Sequence, residues 1–483
     1  MKISTAWTRA LLRRPEQPSN PGWRRRHHAP RAWQPARLLA AGLLACGITA
    51  TPRTANAALE TERHTLENGV RLILSEQSAV PIVSIDCLVD GGARLDPPGQ
   101  PGLAGLTADL LDEGTRQRSS QEIARRIDSL GGSFGTGASR DWIHAGAAVL
   151  SRDIASAFDL IGESLRDPTF PTDEIERVRR ETLGALEASE EDPGTVAART
   201  FRHALYGDTS YGYPIAGTPE SVEKITREAI VGFHRRAITP QATICAVVGD
   251  ATTAEMRAQA ERTLGSWQSP REPEEPTALL PPQARTIRID RELTQANLII
   301  GQLGVARDNP DYFPILLMNH ILGGGGFTSR LVEEIRTKEG LAYAVYSRFS
   351  SSRLPGSFRV VLQTKAESAG RAVALVRREI ARMHEQGVTE AELSAAKAYL
   401  TGSFPLKLDS TAKLSSLLAQ IEYFQLGSDY IEKYTSLVQA VTAEDVAAAA
   451  RRHLRPEALI VVAVGPEAVL GGQNFAQPAA PAP

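Results

Sequence analysis

TPQATICAVVG, residues 239–249, returns later in the chain as RPEALIVVAVG, residues 455–465. Both carry Pro-x-Ala, then an apolar strand, then Val-Gly, and Pro240 to Gly249 is spaced like Pro456 to Gly465. Each follows a predicted helix ending in Arg-Arg or Arg-His. Self-similarity at so long a period reads as two copies of one unit of about 200 residues. The expected fold class is α+β: two homologous domains, each a mixed, mostly antiparallel sheet covered by helices on one side.

Outward from the first copy, HTLENGVRLILSE (64–76) reads as a β-hairpin closed by Asn68-Gly69, a dipeptide suited to a type I′ turn. PIVSIDCLVDGG (81–92) alternates, with Val83, Ile85, Cys87 and Val89 on one face, so the sheet is half-buried and helices should cover it. Those helices are expected near 102–111, from Ser119 with Glu122 closing a capping box, near 153–166, 173–190 and 195–206, and from Thr218-Pro219. In the second copy ANLIIGQLGV (296–305) takes the place of 81–92, and a helix over 310–322 leads into four glycines. Later helices should begin at Glu367, at Thr389 with Glu392 as capping partner, near Ser410 and at Thr442. The expected boundaries are an export signal over 1–57, a first domain over 58–265, a proline-rich linker over 266–283, a second domain over 284–465 and a disordered tail over 466–483.

The signal rests on ten Lys or Arg against one acid (Glu16) in residues 1–57, the apolar run LLAAGLLACGITA (38–50) and the small-x-small site Ala55-Asn56-Ala57. It implies a periplasmic protein, with lipid attachment at Cys46 as the lesser alternative. No later stretch reaches the roughly 18 apolar residues a membrane span needs. Without the signal, 44 basic residues face 55 acidic ones, a net charge of about −11, and no basic cluster is interleaved with aromatics, which argues against a nucleic-acid partner. Cys87 and Cys245 remain; both lie in apolar strand-like runs, which predicts two buried free thiols.

The chemistry concentrates in GGGGFTSRLVEEIRTKEGLAYAVYS, residues 323–347. Leu331, Val332 and Ile335 fall at helical spacing with Glu333, Glu334 and Lys338 opposite, Gly340 stops the helix, and a strand follows from Leu341. Arg336 and Tyr343 then converge across the turn, two donors able to stabilise charge growing on a carbonyl oxygen. The same spacing also admits an exposed Arg in a surface ion pair beside a half-buried Tyr.

This segment resembles the second-domain signature of the pitrilysin/insulinase family of zinc peptidases, the inverzincins, which includes the mitochondrial processing peptidase. The resemblance implies that Arg336 and Tyr343 complete an active site and that Gly323, Gly324, Gly325 and Gly326 form a loop contacting extended substrate. Its first-domain counterpart is GGSFGTGAS (131–139), with Gly135, Thr136 and Gly137 as substrate-binding residues, although a plain tight turn accounts for those glycines equally. The family's first domain carries an inverted motif, His-x-x-Glu-His, inside a frame that is present here as Gly102, Leu103, Ala104, Gly114 and Thr115. Gly105 and Asp109 occupy the histidine positions, Ala108 that of the catalytic glutamate and Ala185 that of the third ligand; an earlier family glutamate falls on Val178.

Zinc hydrolysis needs about three protein ligands and a nearby base, so no metal is expected on this chain. The resemblance implies the non-catalytic subunit of a split enzyme: inactive alone, binding peptide, and completed by a homologous subunit whose His-x-x-Glu-His holds zinc. Two alternatives stay open: a structural or peptide-binding pseudo-peptidase, and an active metalloendopeptidase with an unrecognised metal site. Asp109, Asp112 and Glu113, the local acidic group, read otherwise as a solvated helix end.

Overall fold

The computed structural model describes residues 59–271, 279 and 282–475. The predicted signal, with Cys46, and half of the predicted linker lie outside them. Six strands form the first sheet: β1 (Glu62–Thr65), β2 (Arg71–Glu76), β3 (Ile82–Asp90), β4 (Ser133–Ala138), β5 (Trp142–Leu150) and β6 (Thr243–Gly249), in the order β1-β2-β6-β3-β5-β4. Five form the second: β7 (Thr286–Asp290), β8 (Gln295–Leu303), β9 (Ala342–Phe349), β10 (Ser357–Lys365) and β11 (Ile460–Gly465), in the order β7-β11-β8-β10-β9. Dropping β1 makes the two orders identical. The repeated stretch supplies β6 and β11, each buried along its whole length and parallel only to β2 or β7. The fold is α+β, as the repeat predicts.

Within each half the helices cover one sheet face. Phe158, Phe233 and Met256, on the helices Ile154–Arg166, Arg227–Ala237 and Thr253–Leu264, close the first core over Val83, Ile85 and Val89. The last of these helices carries no strong apolar stripe and is absent from the sequence reading. The opposite faces are covered by exchange between the halves. The helix Pro193–Tyr206 lays Val196, Phe201 and Leu205 on Ile299, Ile460 and Val462, while the helix Thr411–Tyr423 lays Leu414, Leu418 and Ala419 on Leu88, Ile244 and Val248. Gly301 is required beneath the first contact: a Cβ there would meet the Phe201 ring at 2.7 Å and the Phe358 carbonyl at 2.2 Å.

Asp90 ties the halves together. Its carboxylate accepts from Arg94, from Arg271, from Arg353 and from the Tyr423 hydroxyl at 2.9 Å. Burial pushes this carboxyl up, but the guanidiniums of Arg94, Arg271 and Arg353 outweigh it and hold it below the usual range.

Local geometry corrects four expectations. Cys87 and Cys245 stand directly opposite each other on β3 and β6, with Cα atoms 4.0 Å apart, and form a disulfide rather than two thiols. Asn68-Gly69 does not make a type I′ turn: only Gly69 takes positive φ, five residues separate the paired strands, and the Asn68 amide donates to the Leu264 and Trp267 carbonyls. Those bonds anchor the start of the expected linker, where Trp267 is buried in the first core and Arg271 reaches Asp90. The tail is ordered through Phe475, because the short helix Glu467–Leu470 buries Leu470, and Phe475 joins the second core.

The capping boxes at Ser119/Glu122 and Thr389/Glu392 both form. Glu392 does more than cap: both its oxygens accept from buried Arg330 at 2.7 Å, and Arg330 also donates to the Gly387 carbonyl. Burial raises the Glu392 carboxyl, but Arg330 and the Thr389 amide overcome it and hold it at about 2. Its stabilising contribution is therefore complete above the ordinary glutamate value of 4.5 and is lost as pH falls toward about 2. Glu392→Ala is expected to cost about 3 kcal/mol at neutral pH by leaving Arg330 unpaired. Urea titrations between neutral and acid pH should show that the variant loses less on acidification than the parent.

Candidate functional site

After the turn at Ser329, residues Val332–Lys338 form a wide, π-type helical segment that buries Val332 and Ile335. Gly340, at φ +62°, reverses the chain into β9. Pairing then slips: Val345 lies opposite Leu362 and Ala342 opposite Thr364, so Tyr343 and Ala344 both stand between them. This is a β-bulge, and it decides where Tyr343 points. Val345 faces the core, so strict alternation would turn Tyr343 inward as well; with the extra residue its ring is 85% exposed.

Arg336 meets that ring. Its guanidinium carbon lies 5.0 Å from the Tyr343 ring centre and 4.8 Å from that of Phe327, which is itself 76% exposed. Two aromatic faces hold the cation without neutralising it. Among the described residues no carboxylate pairs with Arg336, although three stand nearby in sequence. Glu333 and Glu334 face Lys338, Glu334 also holds Arg378, and Glu339 holds Arg371. The arrangement leaves guanidinium donors and a phenol hydroxyl facing solvent side by side, a pair able to bind a carbonyl oxygen and the charge that grows on it.

The four glycines differ in role. A Cβ on Gly323, Gly324 or Gly325 would lie within 3 Å of Ser347, Asn319 or His320 respectively, whereas Gly326 takes φ +62° in open space. Close packing requires the first three and backbone conformation the fourth. Phe327, which follows them, has no counterpart in the sequence reading; an exposed aromatic directly after four glycines was the available signal.

In the first half, Gly135, Thr136 and Gly137 lie in β4, the outer strand of its sheet, not in a turn. The Thr136 hydroxyl donates to the Ala108 carbonyl at 2.8 Å, which places this strand against the helix Leu103–Asp109. A Cβ on Gly135 or Gly137 would meet nothing within 4 Å, and neither has positive φ. The fold does not demand these glycines; they leave an edge strand bare for another backbone.

The helix beside it carries the positions where the family holds its metal. Gly105 is packed against the Ile215 carbonyl, 2.6 Å from where its Cβ would be. Ala108 is buried, and Ala185 lies exposed on the helix Thr172–Glu190. Asp109 is the one of the four with a donor atom; although the residue is exposed at the helix end, partial desolvation, then the Asp112 carboxylate, pushes its carboxyl up to about 6. Among the described residues no three His, Cys, Asp or Glu side chains are grouped to hold a metal ion. The residues present do not fit zinc. Nor does any hydrogen bond, ion pair or ring contact among the described residues join Arg336 or Tyr343 to residues 105–109.

Known proteins match both halves. Residues 71–219 match the insulinase description, peptidase family M16, and residues 224–400 match the peptidase M16 inactive domain. The chain is similar to an uncharacterized zinc protease of Streptomyces coelicolor, with 29% identity over 402 residues covering 80% of this chain and 86% of the relative. It is also similar to a non-peptidase homolog of Helicobacter pylori, with 28% identity covering 74% and 82%. A solved peptidase M16 inactive domain from Pseudomonas fluorescens matches with a TM-score of 0.80 and 31% identity, over 84% of this chain and 98% of that one. The chain belongs to the insulinase family, peptidase family M16.

Proposed function

We propose that this protein is the non-catalytic half of an exported, two-subunit metallopeptidase. A homologous sister subunit bearing His-x-x-Glu-His supplies the zinc and the general base; this chain binds extended peptide and presents Arg336 and Tyr343 to the scissile carbonyl in trans. The carrying observation is the half-buried Arg336, held against the exposed rings of Phe327 and Tyr343 and paired with no carboxylate among the described residues. A cation so placed in water is poised for an oxygen that arrives from outside.

Peptide would add to the sheet edges, along β4 with its bare glycines and along β9 with the pair. Metal positions with a single donor among four, Asp109, support inactivity in isolation, and the relative named a non-peptidase homolog agrees with it. A disulfide is at home in an oxidising compartment, which fits the predicted export signal.

The test is co-purification from the native envelope followed by metal analysis. The expected result is a complex with a His-x-x-Glu-His chain, its zinc retained by the sister and absent from this chain after separation. Stoichiometric zinc on this chain alone, with peptide hydrolysis, would overturn the reading.

A further inference from the structure

The helix Pro193–Tyr206 covers β8 and β11 and reaches Val361 of β10, but leaves Arg359 of β10 half-buried and the outer face of β9 open. Along β10 the core takes Phe358, Val360 and Leu362, which leaves Arg359 and Val361 on the outer face. Beyond the bulge, β9 turns Val345 and Ser347 inward and Tyr346 and Arg348 outward. In the register of the two strands Arg359 stands directly opposite Arg348. The covering helix adds a third cation: burial, then the neighbouring Arg359, lowers the affinity of the Arg202 guanidinium for its proton.

None of the three makes an ion pair or hydrogen bond among the described residues, while cations around them do: Arg353 holds Asp90, Arg199 holds Glu190, Arg330 holds Glu392. Like charges directly opposite across strands destabilise a sheet, and carboxylates outnumber cations outside the signal. An all-arginine patch in so acidic a chain, with no carboxylate beside it among the described residues, is complementary to an anion that comes to it.

We propose that this face of β9 and β10 receives an acidic side chain of the bound peptide, an Asp or Glu gathered by Arg348, Arg359 and Arg202. The proposal rests on the reading that peptide lies along β9, and it adds the class of peptide. Arg348 is five positions beyond Tyr343, about 16 Å along a strand. The preferred substrate therefore carries a carboxylate several residues from the bond held by Arg336 and Tyr343.

The experiment measures fluorescence anisotropy of the intact isolated chain with a short dye-labelled extended peptide containing glutamates, and with the same peptide carrying glutamines. At low salt the glutamate peptide should bind about tenfold more tightly, with the advantage shrinking as salt is added. In Arg348→Gln/Arg359→Gln the advantage should vanish, while Tm stays level or rises because the repulsion is gone. Equal binding of both peptides by the parent chain, or an advantage that survives in the double variant, overturns the proposal. The two readings separate in the reconstituted complex. Hydrolysis without glutamate preference removes this proposal and keeps the two-subunit enzyme, whereas preference by the isolated chain with no hydrolysis on mixing does the reverse.

Discussion

Arg336→Ala, mixed with the sister subunit, is expected to lower kcat about a hundredfold while leaving KM and complex formation nearly unchanged. A donor that meets the carbonyl oxygen only as charge develops contributes to the transition state and little to ground-state binding. The parent geometry favours a large effect because Arg336 has no carboxylate among the described residues to leave before it acts, and contact with the Phe327 and Tyr343 rings fixes its position. Tyr343→Phe keeps the ring under the guanidinium and removes only the hydroxyl, so it isolates the second donor; Phe327→Ala keeps both donors and loosens one wall. A graded series, with Arg336→Ala most impaired, is expected from steady-state kinetics on the mixed subunits. Equal activity across the three variants would assign the pair to a relic and the chain to a scaffold.

Replacing Cys87 and Cys245 by alanine is expected to cost about 5 kcal/mol, the largest stability loss of any surface-independent change proposed. The bridge closes 158 residues of chain, and the entropy removed from the unfolded ensemble grows with the logarithm of that length. Both sulfurs are fully buried between β3 and β6, so alanine also leaves small voids. Guanidinium titrations should show a lower midpoint and a steeper slope, because the unfolded chain freed of the bridge exposes more surface. A loss below about 1 kcal/mol would mean that the cysteines behave as the buried thiols their apolar surroundings suggest.

What could be read from the residues was what is local or repeated. The Pro-x-Ala strand recurs, so two sheets of one topology followed; Ser119 with Glu122 and Thr389 with Glu392 announce helix starts within four residues, and both form. What escaped depends on register and on distant chain. Cys87 meets Cys245 only because β3 pairs with β6, and no spacing reveals that. Asn68-Gly69 suits a tight hairpin, yet the Asn68 amide is claimed by carbonyls nearly two hundred residues away. Leu470 and Phe475 look few and isolated in the tail, but the second core has room for both.

The site divides in the same way. Spacing alone left Arg336 and Tyr343 open to a plain surface reading, and the resemblance to the family signature singled them out; a helical segment followed by a strand does bring them together. That Tyr343 faces solvent at all is owed to one unpaired residue beside Ala344, a register slip with no sequence signature. That no carboxylate among the described residues pairs with Arg336 is likewise a property of the folded surface, since three glutamates surround it in sequence and each is engaged elsewhere.

The most direct measurement is a titration of peptide hydrolysis: a fixed amount of sister subunit receives increasing amounts of this chain. The account predicts no hydrolysis by either component alone, a rise to a plateau at equimolar mixing, and the same equivalence point at a far lower plateau for Arg336→Ala. Hydrolysis that the sister performs fully by itself, or a plateau that Arg336→Ala leaves unchanged, would contradict it.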